Sequence, residues 1–266
     1  CAATYFALGM NGFEAVVHAL STVSTGGFSS SDQSFGLFIG APEYAASLFM
    51  LLASLPFIRF VQLMQGQVAP IWRDRQVRAY LRWNVYAIAA VLAYEVFDRG
   101  APFWPTLRES TFNIISTFSG TGYASVDLAS WGPFPFVVLI VVGLIGGCTS
   151  STGCSVKVFR YLVLIEAVKA KVRQLHSPSA VIDVRYGGEK LSLDIINSVI
   201  VFFTMFILTL GFLAVGLSLA GLEAQTAVTA AWTAVANVGP VFGPEVGPTG
   251  AVDGFPEIAK WMMIAG

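Results

Sequence analysis

Long apolar runs alternate with short, mildly amphipathic ones along this chain. A helix needs about 20 mostly apolar residues to span a bilayer. The run from Tyr44 to Met64 meets that length, with Pro56 expected to kink it. Trp83 to Phe97 is shorter and gains length if it begins near Tyr80. Phe134 to Ile165 is long but is interrupted by Gly146-Gly147-Cys148-Thr149-Ser150-Ser151-Thr152-Gly153. Leu193 to Leu219 is an unbroken span, Phe255 begins another, and the residues up to Met10 read as the end of an earlier one. Between these runs lie three segments too short to cross: Gly12–Thr22, Thr106–Thr117 and Leu222–Ala236. Their length suits helices that enter the membrane and turn back.

Each short segment runs into a glycine-centred loop: Ser21–Phe28, Ser116–Tyr123 and Thr233–Pro240, centred on Gly27, Gly122 and Gly239. Aligned on those glycines, the first two loops share Ser21/Ser116, Thr22/Thr117, Ser24/Ser119, Gly27/Gly122 and Ser30/Ser125. The third shares only Gly239, and its context supports it: a short helix before it and a span on either side. Irregular backbone at membrane depth is tolerated only where protein or water lines it. Glycine permits positive φ, so carbonyls can be turned to one side. Serine and threonine add uncharged oxygens, and no Asp or Glu occurs within the three loops. Neutral oxygens hold a monovalent cation and release it, whereas carboxylates would favour divalent ions. Each short helix would aim its partly negative C-terminus at such an ion. Glu14, Glu109 and Glu223 are expected near the helix starts, where they match the positive dipole end. Concentrating cations at a pore mouth is the other role open to them.

Composition agrees with a membrane location. Of 266 residues, 55% are hydrophobic and only 12% charged, with a mean hydropathy of +0.70, against about 25% charged in soluble domains. That leaves too little polar surface for a soluble globule. The net charge of −1 matters less than its distribution. Twelve of the 15 Lys and Arg fall in two stretches, Arg59–Arg82 and Lys157–Lys190, which the positive-inside rule assigns to the cytoplasm. Counting crossings from there puts every glycine-centred loop on the outer side. Ala180–Gly188 alternates and ends in Gly-Gly, which fits a small cytoplasmic hairpin or an ordinary loop.

Other chemistries fit poorly. The histidines, His18 and His176, are far apart, and Cys1, Cys148 and Cys154 form no Cys-x-x-Cys pair, so a zinc site is not expected. Gly146–Gly153 imitates a phosphate loop but continues with Cys154 where Lys is required. An intramembrane hydrolase using Ser150 or Ser151 would need a base, and neither histidine is placed for it.

Thr25-Gly26-Gly27-Phe28, Thr121-Gly122-Tyr123, Asn237-Val238-Gly239-Pro240 and the interrupted helix Gly146–Lys157 resemble the Trk/Ktr/HKT superfamily of potassium transporters, its Trk-type bacterial members above all. The resemblance covers essentially the whole chain. It implies an all-α membrane protein of repeated helix–pore-helix–helix units, as in K+ channels, around one pore. Residues 1–66 would be a second repeat, 67–82 a cytoplasmic linker, 83–176 a third repeat with a broken second helix, 177–192 a cytoplasmic hairpin or loop, and 193–266 a fourth repeat. The chain lacks an initiating Met and a signal peptide pattern and closes on an apolar Lys260–Gly266. The expectation is a fragment without the first repeat and cut within the last helix.

By the same resemblance the filter consists of Thr25, Gly26, Gly27, Gly120, Thr121, Gly122, Asn237, Val238 and Gly239, with K+ as the transported ion and no covalently bound cofactor. Gly146, Gly147, Thr149, Ser150, Ser151, Thr152 and Gly153 would form a movable intramembrane gate beneath it. Lys157 after the gate would snorkel to the cytoplasmic boundary, or meet the pore or a carboxylate. The implied function is potassium uptake across the bacterial inner (plasma) membrane by a multi-pass homodimer with a cytoplasmic nucleotide-binding regulatory subunit, and no nucleic acid. The basic stretches would dock that subunit, although anionic lipid headgroups explain them more simply. K+ and Na+ selectivity, and channel-like transport and symport, all fit the residues present. A broken-helix secondary transporter for an organic solute or Na+ is the alternative.

Overall fold

The computed structural model describes residues 1–177, 183–246 and 252–266. Its first helices are α1 (Ala2–Ala7), α2 (Gly12–Ser24), α3 (Ala41–Ala53), α4 (Phe57–Met64), α5 (Ala69–Arg73) and α6 (Arg75–Ala93), the last prolonged by a π-turn over Tyr94–Asp98. Then come α7 (Phe103–Ser119), α8 (Pro133–Ile145), α9 (Val158–His176), strands β1 (Arg185–Tyr186) and β2 (Glu189–Lys190), α10 (Leu193–Leu219), α11 (Ala224–Ala236) and α12 (Glu257–Ala265). Among the described residues the fold is helical, with one two-stranded antiparallel hairpin.

The hairpin pairs Arg185 with Lys190 and Tyr186 with Glu189. Gly187 and Gly188 turn it with φ of 65° and 97°, the backbone that two-residue hairpins with the right twist demand. Residues 178–182 of the expected alternation lie outside the described residues.

The helices that precede the glycine-centred loops, α2, α7 and α11, have 13, 17 and 13 residues. α7 packs against α3, α6 and α8, and α11 against α8, α10 and α12. Every residue from Phe112 to Ser119 is buried, on all sides of α7. Several of its polar side chains find partners nearby, as burial favours, while the buried hydroxyls of Ser110 and Thr117 find none among the described residues. Asn113 donates to the Glu109 carbonyl (2.8 Å) and the Ser125 hydroxyl (3.0 Å), and accepts from Ser125 N–H (3.1 Å). Arg108 pairs with buried Glu43 at 2.9 Å, tying α7 to the start of α3. Phe118, Tyr80, Leu139 and Trp232 share one apolar cluster, and Tyr5, Phe35, Phe112 and Tyr123 share another.

Among the described residues, α10 alone is long and apolar enough to cross a membrane unaided. Its 27 residues extend about 40 Å. α3, with 13 residues, reaches only about 20 Å, short of the ~30 Å hydrocarbon core.

Several elements depart from the expected pattern. Tyr44–Met64 is not one continuous helix: α3 ends at Ala53, and α4 leaves it at 93°, a far sharper turn than a proline kink. Pro56 lacks an N–H and disfavours helical Leu55, and the freed backbone finds partners elsewhere in the chain, described below. α6 starts at Arg75 rather than near Trp83 or Tyr80, so most of residues 67–82 is helical. Asp74 sets that start: its carboxylate accepts from Gln76 N–H at 2.8 Å and from Arg59 at 2.7 Å. Hydropathy misses this beginning because the first turns carry Arg75, Arg78 and Arg82. α7 begins three residues before Thr106, which leaves Glu109 in mid-helix beside Arg108 (3.1 Å) and not at the dipole end. Glu14 does cap: it forms a reciprocal capping box with Asn11. Glu223 is the N-cap of α11 without using its side chain.

α8 and α11 meet so closely that a Cβ on Gly143 would overlap the indole of Trp232. Gly143→Leu in the full-length protein is expected to lower stability by about 1–3 kcal/mol or more through overpacking. Thermal unfolding in detergent checks this, and Gly143→Leu with Trp232→Phe should recover part of the loss.

Candidate functional site

The three glycine-centred loops share one backbone device. α2, α7 and α11 each end in a left-handed residue: Thr25 (φ 53°), Gly120 (φ 77°) and Asn237 (φ 51°). Two residues later comes a glycine, again at positive φ: Gly27 (69°), Gly122 (80°) and Gly239 (103°). Between them, the N–H of Gly26, Thr121 and Val238 returns to the carbonyl five residues back, on Ser21 (2.8 Å), Ser116 (2.9 Å) and Thr233 (3.3 Å). This is the six-to-one bond of a Schellman helix end. Asn237 adopts the left-handed backbone that glycine takes at Gly120, a conformation Asn visits more readily than most residues. The third loop therefore matches the others in conformation where it does not match in sequence.

The loops also touch. A Cβ on Gly27 would overlap the Thr121 carbonyl oxygen, and one on Gly122 would overlap that of Val238. A Cβ on Gly239 would stand 3.0 Å from Gly122 Cα. Glycine is required at Gly27 and Gly122 twice over, for φ and for the approach of the neighbouring loop.

Donors and acceptors are distributed unequally. The loop amides are partly engaged by the helix ends, and Gly239 N–H by the Thr233 hydroxyl (2.6 Å). The carbonyls of Thr25–Gly27, Gly120–Gly122 and Asn237–Gly239 accept no hydrogen bond from any described residue. Thr25, Thr121 and Val238 are at most 2% exposed. Gly120 is buried as well, while Gly26, Asn237 and Gly239 are exposed. Buried carbonyls are nearly always paired, so open acceptors at the four buried residues are unusual. On one side of the loops lies a cavity of about 330 Å³, lined by Gly27, Phe28, Asp32, Gly122 and Gly239 among others. Asp32 brings a carboxylate to it, which the loop motif did not indicate.

Several polar side chains brace the loops. Ser116 donates to the Tyr123 carbonyl (2.8 Å), and Ser119 and Thr121 share a hydrogen bond (2.7 Å). Tyr123 reaches the first loop, donating to the Phe28 carbonyl (3.2 Å). Farther out, Glu245 holds the start of α11 by accepting from the Thr226 hydroxyl and from Glu223 N–H (2.8 Å). The Thr226 hydrogen bond, then that of Glu223, keeps the Glu245 carboxyl below its ordinary range.

The interrupted helix lies against the other side of the loops. The break runs from Gly146 to Lys157, four residues beyond the expected Gly153. Those extra residues make the contacts: Asn237 meets Cys154 Sγ (3.1 Å), and Ser155 donates to the terminal carbonyl of α11, Ala236 (3.0 Å). A Cβ on Gly153 would stand 2.7 Å from the Ser119 carbonyl oxygen. Positive φ at Ser155 (67°) and Lys157 (76°) carries the break onward, a conformation their residue types do not announce.

This segment is anchored to the other broken helix. Cys148 N–H donates to the Ser54 carbonyl (2.9 Å), and Thr152 donates twice to Ala53, through N–H (3.3 Å) and hydroxyl (3.1 Å). Phe57 N–H returns to the Ser150 carbonyl (2.9 Å), and Thr149 N–H meets the Gln76 side chain (2.9 Å). Among the described residues Lys157 pairs with no carboxylate. Its ammonium turns back to the carbonyls of Ser151 (3.4 Å) and Gly153. Ser151 donates to Cys148 O (2.6 Å), while His18 bonds Glu14 O and Ser29 Oγ and His176 bonds Val172 O. No described histidine attends Ser150 or Ser151, as a hydrolase would need.

The family profile described as TrkH, cation transport protein, matches residues 105–266. The chain belongs to the TrkH family. It is 39% identical over its whole length to the Trk system potassium uptake protein TrkI of Halomonas elongata, covering 54% of that protein. It is 29% identical over 99% of its length to the Trk system potassium uptake protein TrkG of Escherichia coli, covering 54% of it. The crystal structure of the potassium transporter TrkH from Vibrio parahaemolyticus superposes with a TM-score of 0.92 at 28% identity, over 100% of this chain and 57% of that one. The helical Trk-type fold and the membrane setting follow. This TrkH-family chain spans about half the length of the curated relatives it matches.

Gly122→Ala, at positive φ and facing the Val238 carbonyl, is expected to open the loops while helices persist, costing about 1 kcal/mol or more from backbone conformation alone. Amide hydrogen exchange should rise at 119–123 and 237–239 with an unchanged far-ultraviolet spectrum. Gly211→Ala, in open space within α10, should leave both unchanged.

Proposed function

We propose that the full-length protein takes up K+ across the bacterial inner membrane through a filter of backbone carbonyls, and that it is a transporter rather than an enzyme. The carbonyls of Thr25–Gly27, Gly120–Gly122 and Asn237–Gly239 replace the ion's water, and α2, α7 and α11 act as pore helices whose C-terminal dipoles face it. One observation carries this reading: three loops of one backbone design, the second touching both the first and the third, whose carbonyls accept no hydrogen bond from the described residues. The names of the relatives, potassium uptake proteins, agree with it. Long and short helices then form repeated units around one pore. The basic ends face the cytoplasm, by the positive-inside rule.

In this reading Gly146–Lys157 is the gate, held shut by its hydrogen bonds to Ala53 and Ser54 and by the Lys157 ammonium. It presses on the filter through Gly153, Cys154 and Ser155. A homodimer and a cytoplasmic nucleotide-binding regulatory subunit complete the proposal, by likeness to the family.

Rb+ uptake into liposomes holding the full-length protein tests the reading. Uptake is expected to require the protein, to be blocked by K+ competition, and to rise severalfold when residues 149–152 are deleted. No uptake by the well-folded parent protein would contradict the filter. Unchanged uptake after the deletion, in a protein that folds normally, would contradict the gate.

A further inference from the structure

A recess of about 430 Å³ opens between α6, α9 and β1, lined by both basic stretches of the chain. Arg75, Arg78 and Arg82 line it together with Lys169, Glu166 and Tyr186. The arginines are three and four residues apart on α6 and so share one face. Their partners are few. Lys169 pairs with Glu166 at 3.3 Å, and the Arg75 guanidinium stands over the Tyr186 ring, 5.7 Å from its centroid. The Arg78 and Arg82 side chains form no ion pair or hydrogen bond with any described residue. The nearby carboxylates are committed: Asp74 to Arg59 and the α6 cap, and Asp183 to Lys190 at 2.7 Å. One carboxylate among the lining residues thus faces four cations in a concave site.

The remaining wall is apolar. Ala79, Trp83, Leu162 and Ile165 complete the lining. The exposed side chains of Val85 and Tyr86 continue α6 beyond it. Cationic side chains beside apolar ones, with a tryptophan among them, are the combination that meets a headgroup at a membrane interface.

We propose that this recess binds the phosphate of an anionic phospholipid. Arg78 and Arg82 engage the phosphate oxygens through their planar forks, Arg75 is held ready by Tyr186, and the acyl chains lie along Trp83, Leu162 and Ile165. The site depends on membrane embedding and not on the ion path, so it is read without measuring flux.

Native mass spectrometry of the full-length protein from mild detergent, reloaded from phosphatidylglycerol or phosphatidylcholine vesicles, tests it. The parent protein is expected to retain phosphatidylglycerol. Arg78→Ala with Arg82→Ala is expected to weaken retention about tenfold or more, since each basic side chain near a membrane contributes about 1 kcal/mol. Lys171→Ala with Arg173→Ala, on α9 outside the recess, removes the same charge and should retain the lipid. Equal loss in both variants, or none in the first, would overturn the site. Displacement of the lipid by inorganic phosphate would overturn the lipid source in favour of a soluble phosphate. Loss of an acidic protein partner with lipid retention intact would overturn it in favour of protein docking.

Discussion

Unsatisfied backbone is the constraint on which the rest of this structure depends. A chain this apolar offers little water to an open amide or carbonyl, so each interrupted helix needs a protein partner. The two interruptions solve the problem jointly. The break at Ser54–Pro56 exposes the carbonyls of Ala53 and Ser54, and the break at Gly146–Lys157 supplies Cys148 N–H and both donors of Thr152. Phe57 N–H completes the exchange on Ser150. Neither break would persist alone at low cost. Their pairing also fixes where Cys154 and Ser155 fall, against the ends of α7 and α11.

The glycine-centred loops obey the same rule with an opposite outcome. Amides in the loops are drawn into Schellman ends and side-chain bonds, while the carbonyls around Gly27, Gly122 and Gly239 accept nothing from the described residues. A set of acceptors gathered on touching loops suits a ligand that is purely a cation. The proposed ion path takes its chemistry from that asymmetry. The Schellman bond holds each loop to the helix before it, so the carbonyls are arranged without an ion to organise them.

Much of this was legible in the sequence, and the misses have physical causes. Leu193–Leu219 begins and ends where its apolar run does, with Ser192 capping its start through Ile195 N–H. The short helices and their loops were found from length and glycine, and the structure brings Gly27, Gly122 and Gly239 together. The third loop was recognised by context, and its likeness lies in φ at Asn237 and Gly239, which identity does not record. Apolar runs hide sharp turns: Tyr44–Met64 reads as one span kinked at Pro56, yet the proline and distant donors bend it by 93°. Polar starts hide helices, as Asp74 and three arginines did for α6. The fate of Lys157 was illegible because its acceptors are carbonyls exposed only by the loop's own conformation. Cys154 and Ser155 carry no motif at all.

Diffraction from crystals of the full-length protein grown in Rb+, recorded at the rubidium absorption edge, tests the central claim most directly. Anomalous peaks should lie on the axis between the three loops, within about 3 Å of carbonyls from Thr25–Gly27, Gly120–Gly122 and Asn237–Gly239, and soaking in K+ should remove them. Well-ordered loops without such peaks, or with rubidium bound only at carboxylates elsewhere, would contradict the account.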